Sequence, residues 1–131
     1  MTTQAPQLLS MLDEDLYRLG KSTSPKLNNV RPDDVTVYDR NGIVMVRADG
    51  FDVSLITEER LKKQRPGSYA WKLPANFSLP NGLALIPDTR FLTPGKNPDH
   101  YFLCPQSDMT LGEYMALLSK LALALERVRK L

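Results

Sequence analysis

The sequence has little of what most catalytic and metal-binding motifs require. Its 131 residues include one histidine, His100, and one cysteine, Cys104. It contains no Cys-x-x-Cys, no His-Glu-x-x-His and no Gly-rich phosphate loop, and no serine lies in a Gly-x-Ser-x-Gly elbow. A protein-bound metal is therefore not expected, and a Ser-His-Asp hydrolase would have only a single histidine as its base.

Long apolar runs are also missing. No window approaches the roughly 18 apolar residues of a membrane span. Residues 1–6 show neither the basic region nor the apolar core of a signal peptide. The lone cysteine cannot form an internal disulfide, and its apolar surroundings at 101–104 are typical of a buried side chain. We expect a cytoplasmic protein without membrane contact, which leaves its cell, if exported, by a route that needs no signal peptide.

The sequence lacks a strong excess of charge of one sign. Its 17 basic and 15 acidic residues give a net charge of +2 and are mostly interleaved. Such a balance creates no broad basic field for a nucleic-acid backbone. The two basic clusters, at 60–65 and 127–130, are interpreted as solvated faces and helix ends. Nucleic-acid binding is not expected, and only the cluster at 60–65 would support it.

The length and composition predict one small mixed domain. A chain of 131 residues and 14.8 kDa has room for a single core. Ten prolines and seven glycines favour a loop-rich fold over a helical bundle. We predict an α+β domain over residues 1–131, with a partly ordered leader at 1–10.

Short apolar runs between turn residues predict a sheet of antiparallel strands. The first strand is Leu16 to Leu19, closed by Gly20, although a helix through Leu8, Leu9, Leu12 and Leu16 also has suitable spacing. Asn41-Gly42 between two β-rich runs predicts a hairpin of 35–38 with 43–46. A helical turn at 31–34 is an alternative start for this region. Further strands are predicted at 53–56, 69–73, 83–86 and 101–104, and loops at 21–29 and 89–99.

The C-terminal region carries the clearest helical pattern. Thr110 to Glu113 fits a capping box, and apolar residues follow at helical spacing as far as Val128. Arg127, Arg129 and Lys130 would then lie in the last turn, where they complement the helix dipole. We predict one amphipathic helix that packs on the sheet.

Several polar and aromatic residues on or beside the predicted strands suit a phosphorylated, aromatic ligand. An arginine offers a forked donor for a pyrophosphate, a hydroxyl can orient a ribose, and an aromatic ring can stack on a base. The candidates are Tyr17, Arg18, Arg31, Ser54, Trp71, Lys72, His100 and Tyr101. Each of these residues is also compatible with a purely structural role.

The order of these residues resembles the ADP-ribosyltransferase-like toxins exported by bacterial type VI secretion, the family of the second-named exported effector and its fungal relatives. The resemblance extends over about residues 16 to 122 and depends on the order of its segments. These are Leu16-Tyr17-Arg18, Asn29 to Val35, Asn41 to Val46, Gly50 to Ser54, Trp71 to Pro74, Leu79 to Leu83, and His100-Tyr101 through Pro105 to Tyr114.

The resemblance implies a split mixed sheet, rich in antiparallel strands, with flanking helices and a cleft for NAD, which is a substrate. Arg18 matches the arginine of the first strand, Ser54 the hydroxyl that braces the nicotinamide ribose, and Arg31 a further functional arginine. Tyr17 adjoins Arg18, Trp71 matches a cleft wall, and His100 and Tyr101 match the family's His-Tyr strand.

The sequence departs from the family pattern at two points. Phe51-Asp52-Val53-Ser54 stands where Gly-Gly-x-Ser is usual, and the last strand lacks a Glu-x-Glu or Gln-x-Glu pair. Gln106, Asp99 and Glu58 are the polar residues nearest to that missing pair.

The resemblance also implies an NAD-dependent toxin. It would transfer ADP-ribose to an unknown intracellular macromolecule or hydrolyse NAD, and a cognate immunity protein would neutralise it. A non-catalytic toxin or interaction domain of the same fold is the alternative. NAD turnover separates the two.

Overall fold

The computed structural model describes residues 8–27, 35–48, 53–90 and 92–131. In these residues the chain runs through β1 (Leu16–Gly20), β2 (Val37–Arg40), β3 (Ile43–Val46), β4 (Val53–Thr57), α1 (Glu58–Leu61), β5 (Tyr69–Leu73), β6 (Leu83–Pro87), β7 (His100–Pro105), β8 (Met109–Thr110), α2 (Leu111–Ala122) and β9 (Glu126–Lys130). No helix among the described residues is long and apolar enough to cross a membrane.

The strands form two sheets rather than the single sheet expected from the turn signals. The larger sheet has the order β6-β7-β4-β1-β5-β9 and the smaller has the order β2-β3-β8. Every strand pair in both sheets is antiparallel. The prediction of an α+β fold with a split, antiparallel-rich sheet is therefore confirmed.

The predicted hairpin forms around Asn41 and Gly42. Both residues have positive φ, 53° and 84°, as a two-residue turn between twisted strands requires. The Gly42 amide donates to the side chain of Asp39, which closes the turn. The alternative helical turn at 31–34 lies outside the described residues.

The helix considered for residues 8–16 does not form. Leu9 instead makes an antiparallel bridge with Leu85 of β6, with backbone bonds of 2.9 and 2.7 Å. Leu9, which the sequence assigned to a leader, therefore pairs with the edge strand β6 of the larger sheet. Beyond Gly20, the described part of the predicted loop at 21–29 is irregular, as expected.

The main core lies on one face of the larger sheet. Strand residues such as Leu16, Leu55 and Leu103 are fully buried there with Tyr114 and Leu118 of α2. The Tyr114 hydroxyl also donates to the Leu103 carbonyl at 2.6 Å. Thr110 caps α2 by accepting the Glu113 amide, so the predicted capping box is present.

The predicted extension of this helix to Val128 is wrong. α2 ends at Ala122, and after a turn the chain forms β9, the edge strand beside β5. Leu121 and Leu125 are both buried, so the apolar spacing that suggested a longer helix comes from a helix end and a turn that face the same core. Arg127 and Arg129 therefore lie on a strand and not in a helical last turn.

The second face of the larger sheet carries a smaller apolar cluster. Tyr17, Ile56 and Ala70 pack there with Leu61 of α1, a short helix that was not predicted from the sequence. Thr57 caps α1 by accepting the Arg60 amide. Because the cluster is small, this face leaves room for cavities beside β1 and β4.

Candidate active site

The centre of the larger sheet opens into a fork. β1 pairs with β5 along its whole length, but with β4 only at Leu16↔Thr57 and Tyr17↔Ile56. β4 continues instead along β7. The gap between residues 18–20 and 53–55, where β1 and β4 are no longer paired, is the fork.

The side chain of Arg18 bridges the fork. Its Nη1 donates to the Ser54 carbonyl at 3.1 Å, and its Nη2 donates to the Lys26 carbonyl at 3.4 Å. The loop that provides Lys26 approaches β1 closely at Gly20, where a Cβ would lie 2.5 Å from the Ser24 carbonyl oxygen. Gly20 is therefore needed for this approach.

A cavity of about 200 Å³, the fork cavity, lies at this gap. Its walls are formed by Tyr17, Arg18, Leu19, Ser54, Ile56, Arg60, Gln64 and His100. In the strand register Tyr17 lies opposite Ile56 and Ile56 lies opposite His100, so their side chains share one face of the sheet. Arg18 alternates to the core face but reaches the fork through its long side chain. The fold thus brings together Tyr17, Arg18, Ser54 and His100.

A second hollow of about 430 Å³, the loop cavity, adjoins the first at Arg60 and His100. It lies under the irregular loop before β7, and its walls are Glu59, Arg60, Lys63, Asp88, Leu92, Thr93, Gly95, Lys96, Asn97, Asp99 and His100. Arg60 is oriented by an ion pair with Asp99 at 3.3 Å. The loop cavity therefore carries charges of both signs.

His100 stands where the two cavities meet. Its Nδ1 lies 2.9 Å from Oδ2 of Asp88, and both side chains are largely buried. Arg90 donates to the same carboxylate from Nε and from Nη2, each at 3.0 Å. Arg90, chiefly, and then His100 lower the pKa of Asp88 through their hydrogen bonds, against the effect of burial. Asp88 is therefore a carboxylate at neutral pH.

Tyr17 connects the fork cavity to the C-terminal strand. Burial, and next its hydrogen bond to Glu58, raise the pKa of Tyr17 to about 12. Glu58 in turn accepts from Nη2 of Arg129 at 2.7 Å. The Tyr17 hydroxyl and the Arg129 hydrogen bond both lower the pKa of Glu58. The phenol of Tyr17 is therefore protonated at neutral pH, and its partner Glu58 is held by Arg129 of β9.

Two of the predicted site residues, Trp71 and Tyr101, do not join this cluster. Trp71 packs against the main core and donates from Nε1 to the Lys21 carbonyl at 2.8 Å, beside a different hollow. Tyr101 is buried in the main core because it alternates with His100 along β7. Arg31 lies outside the described residues. Contacts with a ligand in the fork cavity are therefore not supported for Trp71 and Tyr101.

The residues nearest to the missing acidic pair also separate. Gln106 lies at the far end of β7 and donates to the Leu83 carbonyl. Asp99 is bound to Arg60 in the loop cavity, and Glu58 is bound to Tyr17 and Arg129. None of the three is among the residues that line the fork cavity.

Asp88, Arg60 and Gln64 were not predicted from the sequence as site residues. Asp88 adjoins His100 only through the register of β6 on β7, which places Pro87 opposite Tyr101. Arg60 and Gln64 reach the cavity from α1 and the turn after it. The available signal was the helix cap, Thr57 followed by Glu58 and Glu59, which marks the start of α1.

The larger sheet is antiparallel throughout its described strand pairs, and an arginine and a serine lie at its fork. The chain matches the family model described as Tse2 ADP-ribosyltransferase toxin over residues 10–130. The chain therefore belongs to this family, and it is a transferase of the kind that acts on NAD. Neither the curated proteins nor the solved structures include a match. Among the described residues no group of three or more side chains could hold a metal ion.

Proposed function

We propose that this chain binds NAD in the fork cavity and transfers ADP-ribose to a macromolecule in the cytoplasm of a target cell. The observation that carries the proposal is the convergence of Tyr17, Arg18, Ser54 and His100 on one cavity. Arg18 and Ser54 are 36 positions apart, yet the guanidinium lies 3.1 Å from the Ser54 carbonyl.

The two cavities together suit a dinucleotide. Sites for ligands of this kind commonly measure about 300 to 1,000 Å³. The fork cavity, at about 200 Å³, has room for the nicotinamide ribose, and the adjoining loop cavity, at about 430 Å³, has room for the rest of the molecule. Arg18 and Arg60 supply forked donors for phosphate oxygens, and Ser54 supplies a hydroxyl for the ribose.

Catalysis in such a site would depend on positioning and electrostatics. Breaking the bond between ribose and nicotinamide develops positive charge on the sugar, as in glycoside cleavage. Protein groups that hold the ribose and the phosphates in one geometry lower the entropic part of the barrier. Arg18 is already oriented by two carbonyl groups before any ligand binds, and such preorganisation favours catalysis.

Release of nicotinamide from NAD is the direct test of this proposal. Purified protein incubated with NAD should release nicotinamide, and radiolabel from the adenylate half should enter a macromolecule when lysate is added. Free ADP-ribose without labelled macromolecule would indicate a glycohydrolase. Toxicity without NAD binding or turnover would contradict the proposal and favour a non-catalytic toxin.

The toxin's route and its immunity partner form a second part of the proposal. Expression in a susceptible cytoplasm should arrest growth, and a cognate immunity protein should relieve the arrest by covering the fork cavity. Type VI secretion fits a toxin that meets its target inside another cell. Normal growth at high, soluble expression would contradict this part.

A further inference from the structure

The imidazole of His100 is held in place by a carboxylate at Nδ1 and by an aromatic ring against one edge. Asp88 holds Nδ1 at 2.9 Å, with side-chain exposures of 16% for His100 and 9% for Asp88. The Asp88 amide also donates to the His100 carbonyl at 2.9 Å. Phe102 packs edge-on against the ring at 4.9 Å between centroids, and Arg90 lies over Phe102. The ring therefore has one orientation.

This arrangement selects a tautomer. A carboxylate at Nδ1 favours the form in which that nitrogen carries the proton, so Nε2 keeps its lone pair. Among the described residues Nε2 makes no hydrogen bond, and His100 lines both cavities. Nε2 is thus the ring nitrogen that can accept a proton from a molecule bound there.

The fork cavity offers no carboxylate for the same task. The described residues that line it comprise apolar, aromatic, hydroxyl, amide and cationic side chains, together with His100. The last strand likewise lacks the glutamate pair by which many transferases orient the ribose and the acceptor. An acceptor that attacks the ribose must nevertheless lose a proton.

We propose that His100 is the general base of the transfer step and that Asp88 positions it. This inference rests on the proposed function. The bond between ribose C1′ and the nicotinamide nitrogen breaks, and its electron pair leaves with nicotinamide. A lone pair from an acceptor O–H or N–H, or from water, forms the new bond to C1′, and the acceptor proton passes to Nε2 of His100.

The test uses the full chain with NAD alone, so that water is the acceptor. His100→Ala should lower kcat for nicotinamide release by roughly 100-fold, the lower end of the range for general-base catalysis. Imidazole added to this variant should restore part of the rate. Asp88→Asn should lower kcat by roughly 10-fold or more while KM for NAD stays within about 2-fold, because the wrong tautomer then becomes accessible.

Asp108→Asn is the matched control. The Asp108 carboxylate also accepts two hydrogen bonds, from the Tyr38 hydroxyl and the Ala48 amide. Tyr38 lies on β2 and Ala48 follows β3, so both belong to the region of the smaller sheet. Its kcat should equal that of the wild type, and thermal melts of all variants report folding. If folded His100→Ala and Asp88→Asn keep wild-type kcat, or imidazole restores nothing, the inference is overturned. If the wild type itself releases no nicotinamide, the proposed function fails first.

Discussion

The two faces of the larger sheet differ in what they bury. One face packs Leu16, Leu55 and Leu103 against α2 and the smaller sheet in a continuous core. Among the described residues, the other face carries a smaller cluster around Tyr17 and Ile56 and borders the fork cavity and the loop cavity. A small domain has a limited apolar area to bury, so concentrating it on one face allows polar side chains to be held ready on the other. We therefore expect substitutions on the core face to lower stability and substitutions on the open face to weaken ligand binding.

The largest effect on stability is expected from a substitution on the core face. Leu103→Ala removes a fully buried side chain and should lower the free energy of unfolding by about 2 to 5 kcal/mol. Urea denaturation measures this loss. Leu123→Ala is the control, because that leucine is 90% exposed and its removal should change stability little. Equal losses for the two variants would contradict the assignment of the core.

The second effect concerns Arg18, which connects the two faces. Arg18→Ala should weaken NAD binding by about 1.5 to 3 kcal/mol, or roughly 10- to 150-fold, the range for a hydrogen bond to a charged group. It should also cost some stability, because the Ser54 and Lys26 carbonyls lose a donor. Thermal melts with and without NAD measure both quantities.

Arg40→Ala is the matched control for Arg18, since Arg40 lies on β2 in the smaller sheet. Its melting temperature should rise with NAD as much as that of the wild type. If Arg18→Ala loses more than about 3 kcal/mol of stability yet keeps full NAD protection, Arg18 is structural and does not belong to the ligand site.

Features that depend on neighbouring residues in the chain could be predicted from the sequence, whereas features set by tertiary packing could not. Strands and the hairpin were found because turn residues such as Asn41-Gly42 act locally. The end of α2 was missed because Leu125 continues the helical spacing and no glycine or proline marks the stop after Ala122. Local patterns are thus sufficient for most elements but not for a helix end set by core packing.

Predicting the site required information on which residues meet across strands. Tyr17, Arg18, Ser54 and His100 were proposed from their order along the chain, and the fold brings them to one cavity. Asp88 was missed because it approaches His100 only after β6 pairs with β7. Tyr101 was placed with His100, yet neighbouring residues of a strand point to opposite faces.

The third effect concerns Tyr17 at high pH. Its pKa is raised to about 12 in the folded protein, chiefly by burial, whereas an unfolded chain ionises this phenol near pH 10. The unfolded state therefore loses its proton first, and stability falls as pH rises from about 10 to 12. The expected loss is on the order of 1 to 3 kcal/mol.

Tyr17→Phe provides the comparison that isolates this group. The variant loses the hydrogen bond to Glu58 at neutral pH, but the difference in stability between it and the wild type should shrink between pH 10 and 12. Denaturant melts across this range measure that difference. A constant difference would show that Tyr17 does not titrate as its burial implies.

The smallest effect is expected from Ser54→Ala, which tests the open face without disturbing the core. Ser54 lines the fork cavity, and its carbonyl, which Arg18 binds, is kept in the variant. Stability should therefore change by less than about 0.5 kcal/mol. Loss of one neutral hydrogen bond to the ribose should weaken NAD binding by about 0.5 to 1.5 kcal/mol, or roughly 2- to 13-fold. Isothermal titration with NAD measures this change, and Ser107→Ala, an exposed serine between β7 and β8, should leave affinity unchanged. Equal affinities for wild type and Ser54→Ala would remove the hydroxyl from the ligand site, while a loss of stability comparable to that of Leu103→Ala would show that the two faces are not separable.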